Sequence, residues 1–392
     1  MQKSNQKIEY TSKHLNLRKV LFIIFLLIAL FSFGIAIKSL LSWQTGYREI
    51  ESEGYYSDEI QLQYYLENKA QYIKVKNIYN ESCKEIYQLL DESQIYDGIY
   101  NIAYINSNPN QKIKVDDKLY NCLALLQKYN NKSIMLAPIY ELYKGIFGCN
   151  EDYQLVDYDP LLNEEIAQYV KEVLNYINDE NHIQLKLYDD NYVELSVSEQ
   201  YQKFAEDNGI NSYLDFYWIK NSFVVDYVAQ QLINEGFNQG FISCHNGYCR
   251  FLSGNQVTYH YYDELDDDIR LVADIEYSEP TASVQYRNYR LFDYDFMANY
   301  TLENGEKRTC YIDEKDGLSK TSLSSLTVYS HDDNCSTLLL KSMKYYITDN
   351  FDAEKLNEDD FYYYYMNEYT VEYNDNKLKI EIINPGCKLN LW

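Results

Sequence analysis

The clearest signal in this chain is an apolar stripe at helical spacing: Ile166, Ala167, Tyr169, Val170, Val173, Leu174 and Ile177. Residues recurring at three- and four-residue steps place one face of a helix against a core. A second stripe, Val225, Val228, Ala229, Leu232 and Ile233, stops at Gly236 and predicts a helix leading into a short strand from Gly240 to Ser243. Leu119, Cys122, Leu123 and Leu126 mark a third helix, and Leu339, Met343, Tyr346 and Ile347 a fourth. Alternation from His182 to Tyr188 and from Tyr192 to Val197, divided by Asp189-Asp190-Asn191, predicts a β-hairpin. The stretch from Tyr72 to Ile78 reads as a strand, followed by a helix through Ser82, Ile86 and Leu90. The rest is strand-rich. With no internal repeat and no Gly/Ser linker, the predicted class is α+β with mixed strands.

One apolar run obeys neither period. Val20 to Ile37 holds 18 residues without a charge, the lower limit of a membrane-spanning helix, and Ser39 to Trp43 can extend it. Lys3, Lys7, Lys13, Arg18 and Lys19 precede it against a single Glu9, so the positive-inside bias leaves the N-terminus in the cytoplasm. The expected organisation is a cytoplasmic segment 1–19, an anchor 20–41, a juxtamembrane segment 42–69 and an extracytoplasmic domain 70–392. A cleaved signal peptide is the rival reading, with small residues at Gly34-Ile35-Ala36; the length of the run and of its leader favours the anchor.

Composition narrows the function. The 392 residues carry a net charge of −25, so a nucleic-acid partner lacks its basic footprint. The external part alone holds 29 basic and 59 acidic side chains and is repelled by anionic lipid. Only 14 glycines are present, which limits close backbone approach to phosphates. The 45 tyrosines read as half-buried strand filling rather than as a stacking surface. All eight cysteines fall on the external side, where disulfides are permitted; several look like core positions, and Cys244 with Cys249 is the favoured pair by proximity. A zinc cluster around Cys244-His245 and Cys249 is poorly supplied with histidine. The acidic run Asp263 to Asp268 lacks the EF-hand alternation and reads as a solvated loop.

Several segments, in their order and spacing, resemble the FAD:protein FMN transferases, the ApbE-type flavin transferases, over roughly residues 70 to 392. Tyr104-Ile105-Asn106, with Ile113-Lys114-Val115 and Leu119-Tyr120, is similar to the family's early signature. Ala137-Pro138-Ile139 and Leu142-Tyr143 stand where the family has Gly-Pro-Leu and Leu-Trp. Asp215 to Asp226, DFYWIKNSFVVD, matches the family's DLGGIAKGYAVD in length, in both aspartates and in the Ile. Cys310 to Gly317 resembles HIIDPxTG, and Leu326-Thr327-Val328 the strand that follows. The resemblance implies one T-fold-type domain with a mixed, largely antiparallel sheet. It also implies an enzyme that binds FAD with Mg²⁺ and transfers FMN to a Thr of an acceptor protein.

Carried over position by position, the resemblance assigns the cofactor to Asn106, Asp215, Lys220, Asn221, Asp226 and Gly247, and the catalytic positions to Asp313 and Cys310. Counted without gaps from Thr327-Val328, the two metal-ligand positions fall on Thr337 and Lys341. The chemistry departs at nearly every motif. The paired glycines are Tyr217 and Trp218, the lysine is Asn221 with Lys220 one place before it, and the next glycine is Ser222. The histidine is Cys310, and a Thr–Lys pair cannot hold Mg²⁺ against a pyrophosphate through oxygen ligands. Lys341 either replaces the cation by pairing with a carboxylate or anion, or extends to solvent. The expected function is a membrane-anchored, extracytoplasmic, transferase-like protein in a non-catalytic binding or scaffold role, with FAD and Mg²⁺ weakly bound or absent. The alternative is an active FMN transferase, and the expected partner is an extracytoplasmic protein or flavin acceptor.

Overall fold

A computed structural model describes residues 17, 19–34, 44–253, 258–292, 295 and 297–392, divided into two units, 1–48 with 65–74 and 49–64 with 75–392. In the first unit, residues 19–34 are helical with exposed side chains. Among the described residues no helix is long and apolar enough to cross a membrane. The predicted apolar run continues to Ile37, and residues 35–43 lie outside the described ones.

The second unit is built on a sheet whose strands follow the order Ile60–Leu66, Gly240–Cys244, Tyr248–Phe251, Thr281–Arg287, Ser325–Ser330, Tyr362–Asn367, Thr370–Tyr373, Lys388–Leu391. Neighbours in this list run antiparallel, except the last pair, which is parallel. All positions of Thr281–Arg287 and Ser325–Ser330 are buried, so these strands are covered on both faces. On one face lie the helices Lys220–Asn234 and Cys335–Tyr346. On the other, Phe251, Tyr329, Tyr364 and Val371 pack against Tyr261, Val272 and Ile275 of a smaller sheet. That sheet pairs Thr258–Leu265, Asp268–Glu276 and Lys379–Ile382.

The predicted helices stand at Asp117–Lys128, Glu164–Ile177, Lys220–Asn234 and Cys335–Tyr346, and the hairpin at Ile183–Tyr188 and Tyr192–Val197. The strand expected at 72–78 is instead part of one helix, Lys69–Leu90. Val75, Tyr79, Cys83, Ile86 and Leu90 are buried at helical spacing, and that period overrides the β-branched residues at its start. The acidic run is not a free loop either. Asp263 lies within the strand Thr258–Leu265 and is buried, accepting from Tyr261 and from Ser325 Oγ at 2.6 Å; in the run only Asp266, Asp267 and Asp268 are exposed. All eight cysteines are free thiols, so the favoured Cys244–Cys249 bridge is absent; both side chains are core.

Tyrosine fills this core. The largest fully buried side chains are tyrosines, among them Tyr143, Tyr248, Tyr286 and Tyr329. A buried phenol needs a partner. Tyr286 meets Ser342 Oγ at 2.8 Å, Tyr329 donates to Asp375 at 2.9 Å, and Tyr248 donates to the Trp218 carbonyl at 3.0 Å.

Candidate functional site

A cleft of about 350 Å³ opens beside the short 3₁₀ turn Tyr217–Ile219 at the start of the helix Lys220–Asn234. Asp215 sets the turn. It is 2% exposed, accepts from the Tyr217 N–H at 2.6 Å, and pairs with Lys144 at 2.9 Å. Burial alone draws the Lys144 ammonium down, but Asp215 and then Glu141 carry it above the ordinary lysine value. Asn106 holds the preceding segment, donating to the Leu214 carbonyl at 2.9 Å and accepting from the N–H groups of Tyr213 and Leu214.

The turn retains a backbone suited to glycine while carrying bulk. Tyr217 has φ +38°, in the left-handed region that side chains disfavour by about 1–2 kcal/mol. Its ring packs on Tyr140 at 4.9 Å between centroids, and Lys144 lies 5.0 Å from its face. Trp218 packs edge-on to Tyr311 at 5.1 Å. Where the resemblance calls for bare peptide to approach a pyrophosphate, aromatic side chains stand instead, and the Trp218 carbonyl is held by Tyr248.

Of the predicted site residues, the fold brings Asp215, Lys220, Asn221 and Cys310 to the cleft. Asn221 donates to Glu59 and to Asn246, both at 2.6 Å. The Lys220 ammonium lies 4.4 Å from the Tyr87 ring centre. Burial draws it down, yet Glu92 and then Tyr87 and Asp215 raise it above the ordinary value. Burial pushes the Cys310 thiol up to about 12, which disfavours the thiolate that a nucleophile would need.

The other predicted residues do not line the cleft. Asp226 caps the helix Cys335–Tyr346, accepting from the N–H groups of Cys335 and Ser336 at 2.8 and 2.7 Å, and from Arg250 at 3.0 Å. Asp313 closes a turn with Gly317 and pairs with Lys320 at 2.9 Å, an ammonium shared with Asp316 and Asp349. Gly247 serves packing. Its φ is +89°, and a Cβ there would stand 2.2 Å from the Gln285 carbonyl oxygen. Thr337 lies in the first turn of its helix, its N–H on Asn334. Lys341 pairs with Asp333 at 2.7 Å. The ungapped count therefore puts the metal positions away from the cleft.

Glu59, Glu92, Lys144, Arg287 and Asp295 join the site from segments that no motif had marked, and His245 joins it from the Cys244-His245 pair weighed above for zinc. Arg287 had one signal, a charge closing an otherwise uncharged strand run; its guanidinium binds Asp295 at 2.9 Å and the His245 carbonyl at 2.6 Å. Burial lowers the His245 imidazole and raises the Glu92 carboxyl, the latter with help from Asp215. These residues fit FAD with Mg²⁺ poorly. The aspartates retained from the motifs are spent on Lys144, on a helix end and on Lys320, and the cleft, at about 350 Å³, is at the small end for ligand pockets.

No family profile and no curated protein matches the sequence. Solved structures do. The ApbE protein of Thermotoga maritima aligns with a TM-score of 0.57 at 14% identity, covering 87% of this chain and 97% of that one. The Pseudomonas stutzeri flavinyl transferase ApbE, in its apo form, aligns at 0.52 with 12% identity, covering 87% and 95%. A variant of the Vibrio cholerae flavin transferase ApbE aligns at 0.51 with 11% identity, covering 87% and 98%. The overall fold thus recurs with little sequence in common: this chain has the fold of the ApbE flavin transferases.

Proposed function

We propose that this protein is a flavin-transferase-like binding or scaffold subunit that does not transfer FMN, held outside the membrane by an N-terminal anchor. The turn at Tyr217–Trp218 carries the reading. Two aromatic side chains occupy the ground where backbone would contact a pyrophosphate, and the aspartates at the cleft are already engaged, Asp215 by Lys144 and Asp295 by Arg287. Phosphoryl transfer rests on positioning and charge neutralisation, and these residues supply neither. The anchor is supported by the uncharged run Val20 to Ile37 behind a basic leader.

The full chain in detergent, mixed with FAD, Mg²⁺ and a flavin-acceptor protein, tests the proposal through covalent flavin fluorescence on the acceptor after denaturing electrophoresis. No labelled acceptor is expected. A labelled acceptor band would establish the active transferase in its place.

A further inference from the structure

Most charges of the cleft answer one another. Lys144 pairs with Asp215, Arg287 pairs with Asp295, and Glu59 accepts from Asn221. Two do not. Among the described residues Lys220 has the Tyr87 ring but no hydrogen bond or ion pair, and Glu92 Oε2 is buried without a hydrogen bond. The two attract each other without closing into an ion pair. Two further orphans line the same cleft: Arg287 Nε, a donor, and Asn299 Oδ1, an acceptor, on residues each 6% exposed. Buried polar groups left unpaired are costly, and several around one cavity mark a missing partner.

The partner's chemistry follows from the signs. A polyanion would meet Glu59, Glu92, Asp215 and Asp295 at once, and a simple cation would meet Lys144, Lys220 and Arg287. A neutral molecule carrying one charge of each sign satisfies both isolated groups. The walls at Trp218 and Tyr311 suit an apolar body. Resting on the reading that this protein is a binding subunit that does not transfer FMN, we propose that the cleft holds a small zwitterion, a free α-amino acid, with its carboxylate on Lys220 and its ammonium on Glu92.

The test is calorimetric titration of the full chain in detergent with the common amino acids, L-phenylalanine foremost, at up to millimolar concentration. N-acetyl-L-phenylalanine lacks the ammonium and the methyl ester lacks the carboxylate. Each should bind roughly ten- to a hundredfold more weakly than the parent, the worth of one charge-assisted contact. Lys220→Met and Glu92→Gln should each lose affinity to the same degree, with melting temperature confirming their folding. Because the capped probes act on the unaltered protein, a misfolded variant does not blunt the test. No heat with any amino acid would overturn the proposal and leave water as the cleft's occupant. Equal binding of the acetylated probe would also overturn it, showing a site for anions alone. FMN transfer to an acceptor would defeat the functional reading instead, and it has a separate readout.

Discussion

Replacing Asp226 by alanine separates a retained cofactor ligand from a structural cap. Its carboxylate receives the Cys335 and Ser336 N–H groups, the Ser336 hydroxyl and Arg250. Cys335 and Ser336 are buried, and water cannot readily replace the lost acceptor. Loss of a helix cap costs about 0.5–2 kcal/mol. Stranding a mostly buried Arg250, whose Nε is already without a partner, adds about 1.5–3 kcal/mol. These effects share one carboxylate and do not simply add, so the expected loss is about 3–4 kcal/mol. Thermal unfolding of the full chain in detergent should fall by roughly 6 °C or more, at about 2 °C per kcal/mol for a domain of this size. Adding Arg250→Met should recover part of the loss, because the stranded charge is then gone. A fall of less than about 2 °C would refute the cap assignment. So would unchanged stability with altered ligand binding, which would return Asp226 to the cleft.

Other outcomes follow from the same structure. Gly247→Ala should destabilise by roughly 2–4 kcal/mol, since it combines a left-handed φ with a Cβ against the Gln285 carbonyl; a melting temperature near that of the parent would contradict the geometry. Tyr217→Phe removes a buried hydroxyl with no hydrogen bond and should raise stability by about 1 kcal/mol, visible as a small rise in melting temperature. Lys341→Met breaks a partly exposed pair with Asp333 and should cost no more than about 1 kcal/mol, with no change in amino-acid affinity by calorimetry. The thiols of Cys122, Cys244 and Cys310 are pushed up to about 12 by burial. In the unfolded chain they ionise near about 8.5, so protons leave the unfolded state first. Stability should therefore hold up to about pH 8.5 and then fall by up to ~1.4 kcal/mol per pH unit for each thiol. A flat melting temperature between neutral pH and about pH 10 would contradict that burial.

Part of this was legible in the chain. Glu164–Ile177 and Lys220–Asn234 announce themselves because their apolar faces recur at the helical period, and the hairpin ending at Val197 because its pattern alternates. Lys69–Leu90 was read partly as a strand because local β-preference competes with a period that becomes clear only over several turns. Within the motif from Asp215 to Asp226, the first aspartate proved to be a cleft residue and the last a helix cap. Sequence spacing fixes distance along a helix, not which neighbour the far end will meet.

Periodicity by itself determined the α+β class and the main helices, while the order and spacing of the motifs, through their resemblance to the ApbE-type flavin transferases, pointed to the particular fold. They also determined that glycine would be missing from the turn at Tyr217 and Trp218. Only the tertiary structure decided which charges face one another. Glu92, Lys144, Arg287 and Asp295 come from separate segments, and Lys144 met Asp215 while, among the described residues, Lys220 and Glu92 were left without an ion pair. Electrostatic interaction depends on distance through space and on burial, and neither is written in the linear chain.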